Sequence, residues 1–244
     1  VKYFAGLILL VMSGTAWPQS QVSLPGVSIN MGQGADLVDT MQLMALFTVL
    51  TLAPAILILC TCFTRIIVVL AFTRQALGTQ NMPPNQLLVG LAIFLSVFVM
   101  RDTGVYIYDH AVSPYLEKKI TSTVAIKEIE FSLRQFMGKQ VRKSDIALFY
   151  DITGAAAPKT IDEVPIHFLI PAFIISELKT SFQMGFLLYI PFLILDMVVA
   201  SVLMAMGMMM LPPVIVSFPF KLLLFVLVDG WQLVTGAILR SFNI

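Results

Sequence analysis

Charge is the scarcest thing in this sequence. Only 29 of its 244 side chains are formally charged, and 18 of those, nine basic and nine acidic, fall between Arg101 and Glu163. The rest runs nearly charge-free over lengths that no soluble domain presents to water. The chain therefore reads as an integral membrane protein. With a net charge of +1 and no basic patch interleaved with aromatics, nucleic acid is not an expected partner. Histidine is limited to His110 and His167, and cysteine to Cys60 and Cys62. Two positions apart on a helix, the cysteines point to different faces, so buried thiols are expected rather than a bridge. Neither histidine lies near them in sequence, so no metal site is expected. Nucleophile elbows, zinc-binding HExxH, phosphate-cradling glycine loops and paired cysteine ligands are missing as well. No enzymatic activity and no cofactor are expected.

What is present is organised by hydropathy. The stretch VKYFAGLILLVMSGTAW has one lysine, an apolar run over 3–12, then Ser13, Gly14, Thr15 and Ala16. That pattern fits a secretory signal over 1–16, cleaved after Ala16, with a short retained anchor as the alternative. Polar residues 17–40 read as a flexible external arm. Residues 41–100 read as a first hydrophobic helical hairpin. Its first apolar run, 41–63, is long enough to span a bilayer and carries Pro54, where a kink is expected. A connection at about 64–86 holds Arg65 and Arg74 and no carboxylate, which makes it cytoplasmic by the positive-inside rule.

Residues 101–163 read as a charged, amphipathic, helical extracytoplasmic region. Ile129, Leu133, Phe136, Met137 and Val141 recur at helical spacing, and Ser144 with Asp145 offers a helix start before IALFY. Sixty residues barely build a core alone. The apolar face either closes on itself or, with Phe136 and Phe149, meets a neighbouring subunit. Residues 164–244 form a second hydrophobic region with apolar runs at 166–176, 182–206, 211–220 and 222–228. Several are too short to cross alone. Ordinary spans with ragged ends and broken helices packed against protein both fit; the lengths favour broken helices.

Polar residues inside these runs are the strongest functional signal. A carboxylate at a bilayer centre costs about 2.5–3.5 kcal/mol, so Asp196 in FLILDMVVA is protonated, paired or facing water. Glu177 and Lys179 in SELKT and Lys221 in FPFKLLL are similarly placed. Glu177 and Lys179 stand only two apart and do not pair well with each other on one helix, which favours pairing between helices or subunits. A conduction-path or proton-coupling role for Asp196 stays open. The stretch MGMMMLPP, 206–213, breaks an apolar helix: Pro212 and Pro213 remove two amide donors, and Gly207 loosens the backbone before Met208, Met209 and Met210. Methionine is long, unbranched and adaptable. Such a loop either closes a pore around a passing object or is a methionine-rich core turn.

The stretches FTRIIVVLAFTRQALGTQNMPPNQLLVGLAIFL, PAFIISELKTSFQMGFLLYIPFLILDMVVASVLMAMGMMMLPP and FPFKLLLFVLVDGWQLVTGAILRSF resemble the FliP family of flagellar and type III secretion export-gate proteins. The likeness covers about 65–240, and the signal-like start and long middle are similar to its flagellar branch. The resemblance implies an all-α membrane protein of kinked hairpins, assembled as a homo-oligomeric ring, five copies with FliQ and FliR. It implies FlhA and FlhB as further partners, the bacterial inner membrane at the flagellar basal body as the location, and unfolded flagellar proteins as substrates. Energy comes from other components. It places a pore gate at Met208, Met209 and Met210, a hinge at Gly207, Pro212 and Pro213, and subunit-assembly contacts at Phe136, Phe149 and Glu177. A scaffold that nucleates assembly without lining the pore, and the virulence-secretion counterpart, are the alternatives.

Overall fold

The computed structural model describes residues 23–24, 27–28, 37–79, 81–154, 158, 160–208 and 210–242. The expected signal, 1–16, and Met209 lie outside them. Two short strands, β1 (Ser23–Leu24) and β2 (Val27–Ser28), pair antiparallel; the other regular structure among the described residues is helical. Helix α1 (Leu37–Leu59) begins inside the stretch expected to be an arm and continues through Pro54.

From residue 56 the chain forms one packed unit. Its helices are α2 (Phe63–Ala76), α3 (Asn85–Val99), α4 (Arg101–Leu116), α5 (Ser122–Gln140), α6 (Lys143–Thr153), α7 (Ile166–Ala205), α8 (Pro213–Leu227) and α9 (Gly230–Arg240). The sequence placed a connection at 64–86, but α2 occupies most of it and only 77–84 joins α2 to α3. The two arginines that marked that connection hid a helix whose buried positions, Arg65, Ile66, Val69, Leu70, Thr73 and Ala76, recur every three or four residues.

Helix α7 is the spine: α2, α5, α6 and α8 all pack on it. It is 40 residues long, about 60 Å at 1.5 Å per residue, or about twice the thickness of a bilayer's hydrocarbon core. The apolar runs 166–176 and 182–206 are thus one helix rather than two broken ones. Polar SELKT does not interrupt it, because Ser176, Glu177 and Ser181 are all buried against neighbours. Helix α8 likewise absorbs Pro219 and Lys221 and fuses the runs at 211–220 and 222–228. The breaks fall elsewhere. The axes of α3 and α4 meet at 64°, and those of α8 and α9 at 65°. The second bend turns on Asp229, whose φ of 49° is left-handed.

Among the described residues α7 is the one helix long and apolar enough to cross a membrane; each bent pair qualifies if taken as one broken span. This is an all-α membrane protein.

The amphipathic middle closes partly on itself, with α4 against α5 where Tyr106 meets Phe131 at 6.1 Å and Ser132 donates to the Thr103 carbonyl, and partly on the spine. Helices α5 and α6 lie on α7, with Phe136 against Phe173 at a ring separation of 6.1 Å and Tyr150 against Phe168 at 4.9 Å. Ser144 and Asp145 sit in the first turn of α6, two and three residues past its actual cap, Arg142. Asp145 is engaged elsewhere: it accepts from Ser176 Oγ at 2.6 Å. The approach of α2 to α7 needs Gly185, where an added Cβ would lie 2.6 Å from the Phe72 ring.

Candidate functional site

The methionine loop sits where α7 hands over to α8. Its geometry follows from local chemistry. Helix α7 ends at Ala205, Met206 caps it, and Gly207 takes the left-handed φ of 75° that most side chains avoid. The Met208 amide then donates to the Leu203 carbonyl at 3.0 Å and the Gly207 amide to Met204 at 3.0 Å. These two bonds are the Schellman closure, which satisfies carbonyls that the helix end would otherwise leave bare. Pro212 caps α8 and Pro213 is its first residue, the position where proline's missing N–H costs nothing. The chain therefore turns here, as the glycine and the proline pair require. The turn's methionines are poorly covered: Met206 is 64% exposed and Met210 97%, with Met208 half-buried. Among the described residues, little of the unit covers Met206 and Met210, and Met208 is partly covered.

One polar contact steadies the hairpin behind the loop. Asp196 on α7 accepts from Lys221 Nζ at 2.6 Å and from Ser217 Oγ at 2.5 Å, both on α8. Lys221 is almost fully buried, while the Asp196 side chain keeps 23% of its surface. The pair thus neutralises two charges inside an apolar hairpin. Lys179 does not join it. It is exposed on α7, in a shallow apolar groove with Ile175, Leu178, Phe182 and Phe186.

Glu177 lies deeper and has a partner the sequence reading missed. Arg65 of α2 clasps its carboxylate, Nε donating to Oε2 at 2.8 Å and Nη2 to Oε1. Nη1 donates to the Ser241 carbonyl at 2.8 Å and to Ser241 Oγ at 3.0 Å, and Nη2 also reaches Gln140 Oε1 at 3.4 Å. All five guanidinium N–H groups are therefore used, and the Phe242 ring lies 4.0 Å from the guanidinium carbon. Arg65 is 2% exposed and Glu177 0%. This pairing joins α2, α7, the end of α5 and the residues after α9. A signal was available: an arginine inside FTRIIVVL needs a partner as much as Asp196 does.

Of the residues singled out as assembly contacts, Phe136 and Glu177 face inward within this chain, and Phe149 is half-buried against the same core. Cys60 and Cys62 are buried free thiols, the latter 3.7 Å from the Ser96 carbonyl. Among the described residues no cluster of metal-ligating side chains occurs.

Similarity to known proteins agrees with this architecture. The FliP family's sequence profile matches residues 46–238. The flagellar biosynthetic protein FliP of Bacillus subtilis is 53% identical over 84% of this chain and 92% of its own length. The proteins of that name from Caulobacter vibrioides and Aquifex aeolicus are 47% and 44% identical, over 100% and 97% of this chain and 90% and 98% of theirs. A match that runs through both bent helix pairs, the α7 spine and the methionine turn leaves one assignment: this chain belongs to the FliP family.

Proposed function

We propose that this chain is a pore-forming core subunit of the flagellar type III protein export gate, conducting unfolded flagellar proteins outward through a gated channel. The observation that carries the reading is the bare methionine turn between α7 and α8, with Met210 almost wholly exposed on a hairpin that is otherwise pinned by an ion pair. A membrane protein gains nothing from offering adaptable thioethers to open space unless something occupies that space. A ring of about five copies would bring the turns together round one axis. Methionine's rotamer freedom would then let the constriction fit chains of no common shape, and its apolarity would keep an empty pore dry and closed to ions. The names of the three relatives given above, each a flagellar biosynthetic protein, favour the flagellar branch over the virulence one.

In this reading Met208, Met209 and Met210 are the gate, and Gly207, Pro212 and Pro213 its hinge. FliQ and FliR complete the channel, FlhA and FlhB act beside it, and the site is the inner membrane at the basal body. Phe136, Phe149 and Glu177 support assembly by fixing how α5, α6 and α2 sit on α7. The role is conduction rather than catalysis, and it involves no cofactor.

Replacing Met208, Met209 and Met210 together by alanine is the test. Assembled complexes carrying the change should leak small ions several-fold faster than unmodified ones. An unchanged leak, in complexes of unchanged composition, sinks the gate. Crosslinking of a stalled export substrate to position 210 separates a conduit from a scaffold, since a scaffold's loop would give no adduct.

A further inference from the structure

The turn at 206–213 has a neighbour built on the same plan. The connection 77–84 lies along α8, where Gly78, Thr79, Asn81 and Met82 face Val214, Ile215 and Phe218 across a cleft of about 410 Å³. A Cβ placed on Gly78 would stand 3.9 Å from the Phe218 ring and 3.9 Å from Lys221 Nζ, so the connection runs from the first turn of α8 down to the pinning ion pair. Its sequence repeats the logic of the other turn. Met82 is followed by Pro83 and Pro84, and Pro84 caps α3; Met210 is followed, after Leu211, by Pro212 and Pro213, and Pro212 caps α8. Met82 is 68% exposed, as Met210 is 97%. Val214 and Ile215, on the α8 side of the cleft, are 54% and 69% exposed.

The two turns differ in how they are held. Arg74 Nη1 donates to Asn85 Oδ1 at 2.5 Å and to the Pro83 carbonyl at 3.4 Å, and Thr79 Oγ1 donates to the Arg74 carbonyl at 3.1 Å. These side-chain bonds tie 77–84 to the end of α2, which belongs to the core. Among the described residues of 206–213 the turn is held by backbone bonds alone. One turn is braced by side-chain hydrogen bonds; the other, MGMMMLPP, has no polar side chain to make any.

We propose that 77–84 is a second, fixed wall of the constriction, with Met82 the side chain that touches the passing polypeptide while the 206–213 turn moves against it. This rests on the conduit reading above. The occupant is an extended polypeptide segment. The cleft offers apolar contact from Met82, Val214 and Ile215 for varied side chains, and the exposed Asn81 amide supplies a donor and an acceptor for a backbone.

Site-specific photocrosslinking in intact export complexes tests this. A crosslinking amino acid is placed at 82, 210 or 87 in separate strains. Leu87 is 63% exposed on α3 and serves as the control. The substrate is stalled by a fused folded domain, and only complexes of normal composition are scored. Substrate adducts at 82 and 210, at least tenfold above the level at 87, are expected. Adducts at 210 without 82, or at 82 only to another subunit, overturn the proposal and leave the conduit standing. Equal adducts at 82 and 87 overturn it as unspecific contact. With no adduct at 210, the conduit reading falls and the second wall with it.

Discussion

Arg65 and Glu177 illustrate how a buried charge acquires meaning only through its partner. Two ions withdrawn from water cost several kcal/mol each, and removing one partner of such a pair strands the other. Glu177→Leu should therefore destabilise the subunit by about 3–5 kcal/mol. Combining it with Arg65→Met should recover much of that loss. Thermal unfolding of the purified protein in detergent checks both, and a double variant no more stable than the single one contradicts the pairing argument. Gly207 is a second residue-scale case. Its left-handed φ of 75° is the pivot of the Schellman closure, and an L-residue there pays about 1–2 kcal/mol. Gly207→Ala should show increased protease cutting within 206–213 with the rest of the chain intact; equal cutting in both proteins contradicts a strained turn.

At the scale of helices, the packing of α2 against α7 depends on the absence of a side chain at Gly185. Gly185→Leu should part the two helices and cost about 1–3 kcal/mol, the usual range for overpacking, read as a lower melting temperature in detergent. An unchanged melting temperature means the interface gives way more easily than its geometry implies. The hairpin of α7 and α8 carries the second element-scale prediction. Asp196 bonds Ser217 through Oδ1 and Lys221 through Oδ2, so Asp196→Asn keeps one acceptor oxygen, puts an amide donor in place of the other and leaves the buried Lys221 without its counter-ion. If the aspartate serves as a pin, assembled complexes should retain export. Loss of export in complexes of normal composition would instead point to a proton-coupling role. Helix boundaries were the least legible feature of the sequence. Charges at Glu177, Lys179 and Lys221 broke the apolar runs, yet the helices pass through them, as they do through Pro191 and Pro219. Arg65 satisfies Glu177 and Asp196 satisfies Lys221, Lys179 is exposed, and an internal proline forfeits one backbone bond without ending the helix.

The whole molecule exposes more apolar surface than a finished assembly tolerates. Phe94, Phe98, Phe186, Leu187, Val226 and Leu227 are all between 65% and 77% exposed. In the proposed ring, part of that surface would face lipid and part would meet other subunits. About five copies per complex are expected from native mass spectrometry of the purified gate. A stable monomer under conditions that preserve FliQ and FliR contradicts a ring. Here the candidate site was legible in part. Methionine, glycine and a proline pair announced the turn because each fixes a backbone state locally. Arg65 stayed hidden as a partner for Glu177, 112 positions away, as did the braced turn at 77–84.

Sequence by itself determined that this is an all-α membrane protein, that it turns at 206–213 and that its polar intramembrane residues need partners. Hydropathy, helix-ending chemistry and the cost of bare charge act over a few residues and need no knowledge of the rest. Only the tertiary structure decided who those partners are, that one helix serves as a spine for four others, and that a second methionine–proline turn lies beside the first. Contacts between distant segments depend on shape and packing, and no local pattern along the chain encodes which far-off surface will be met.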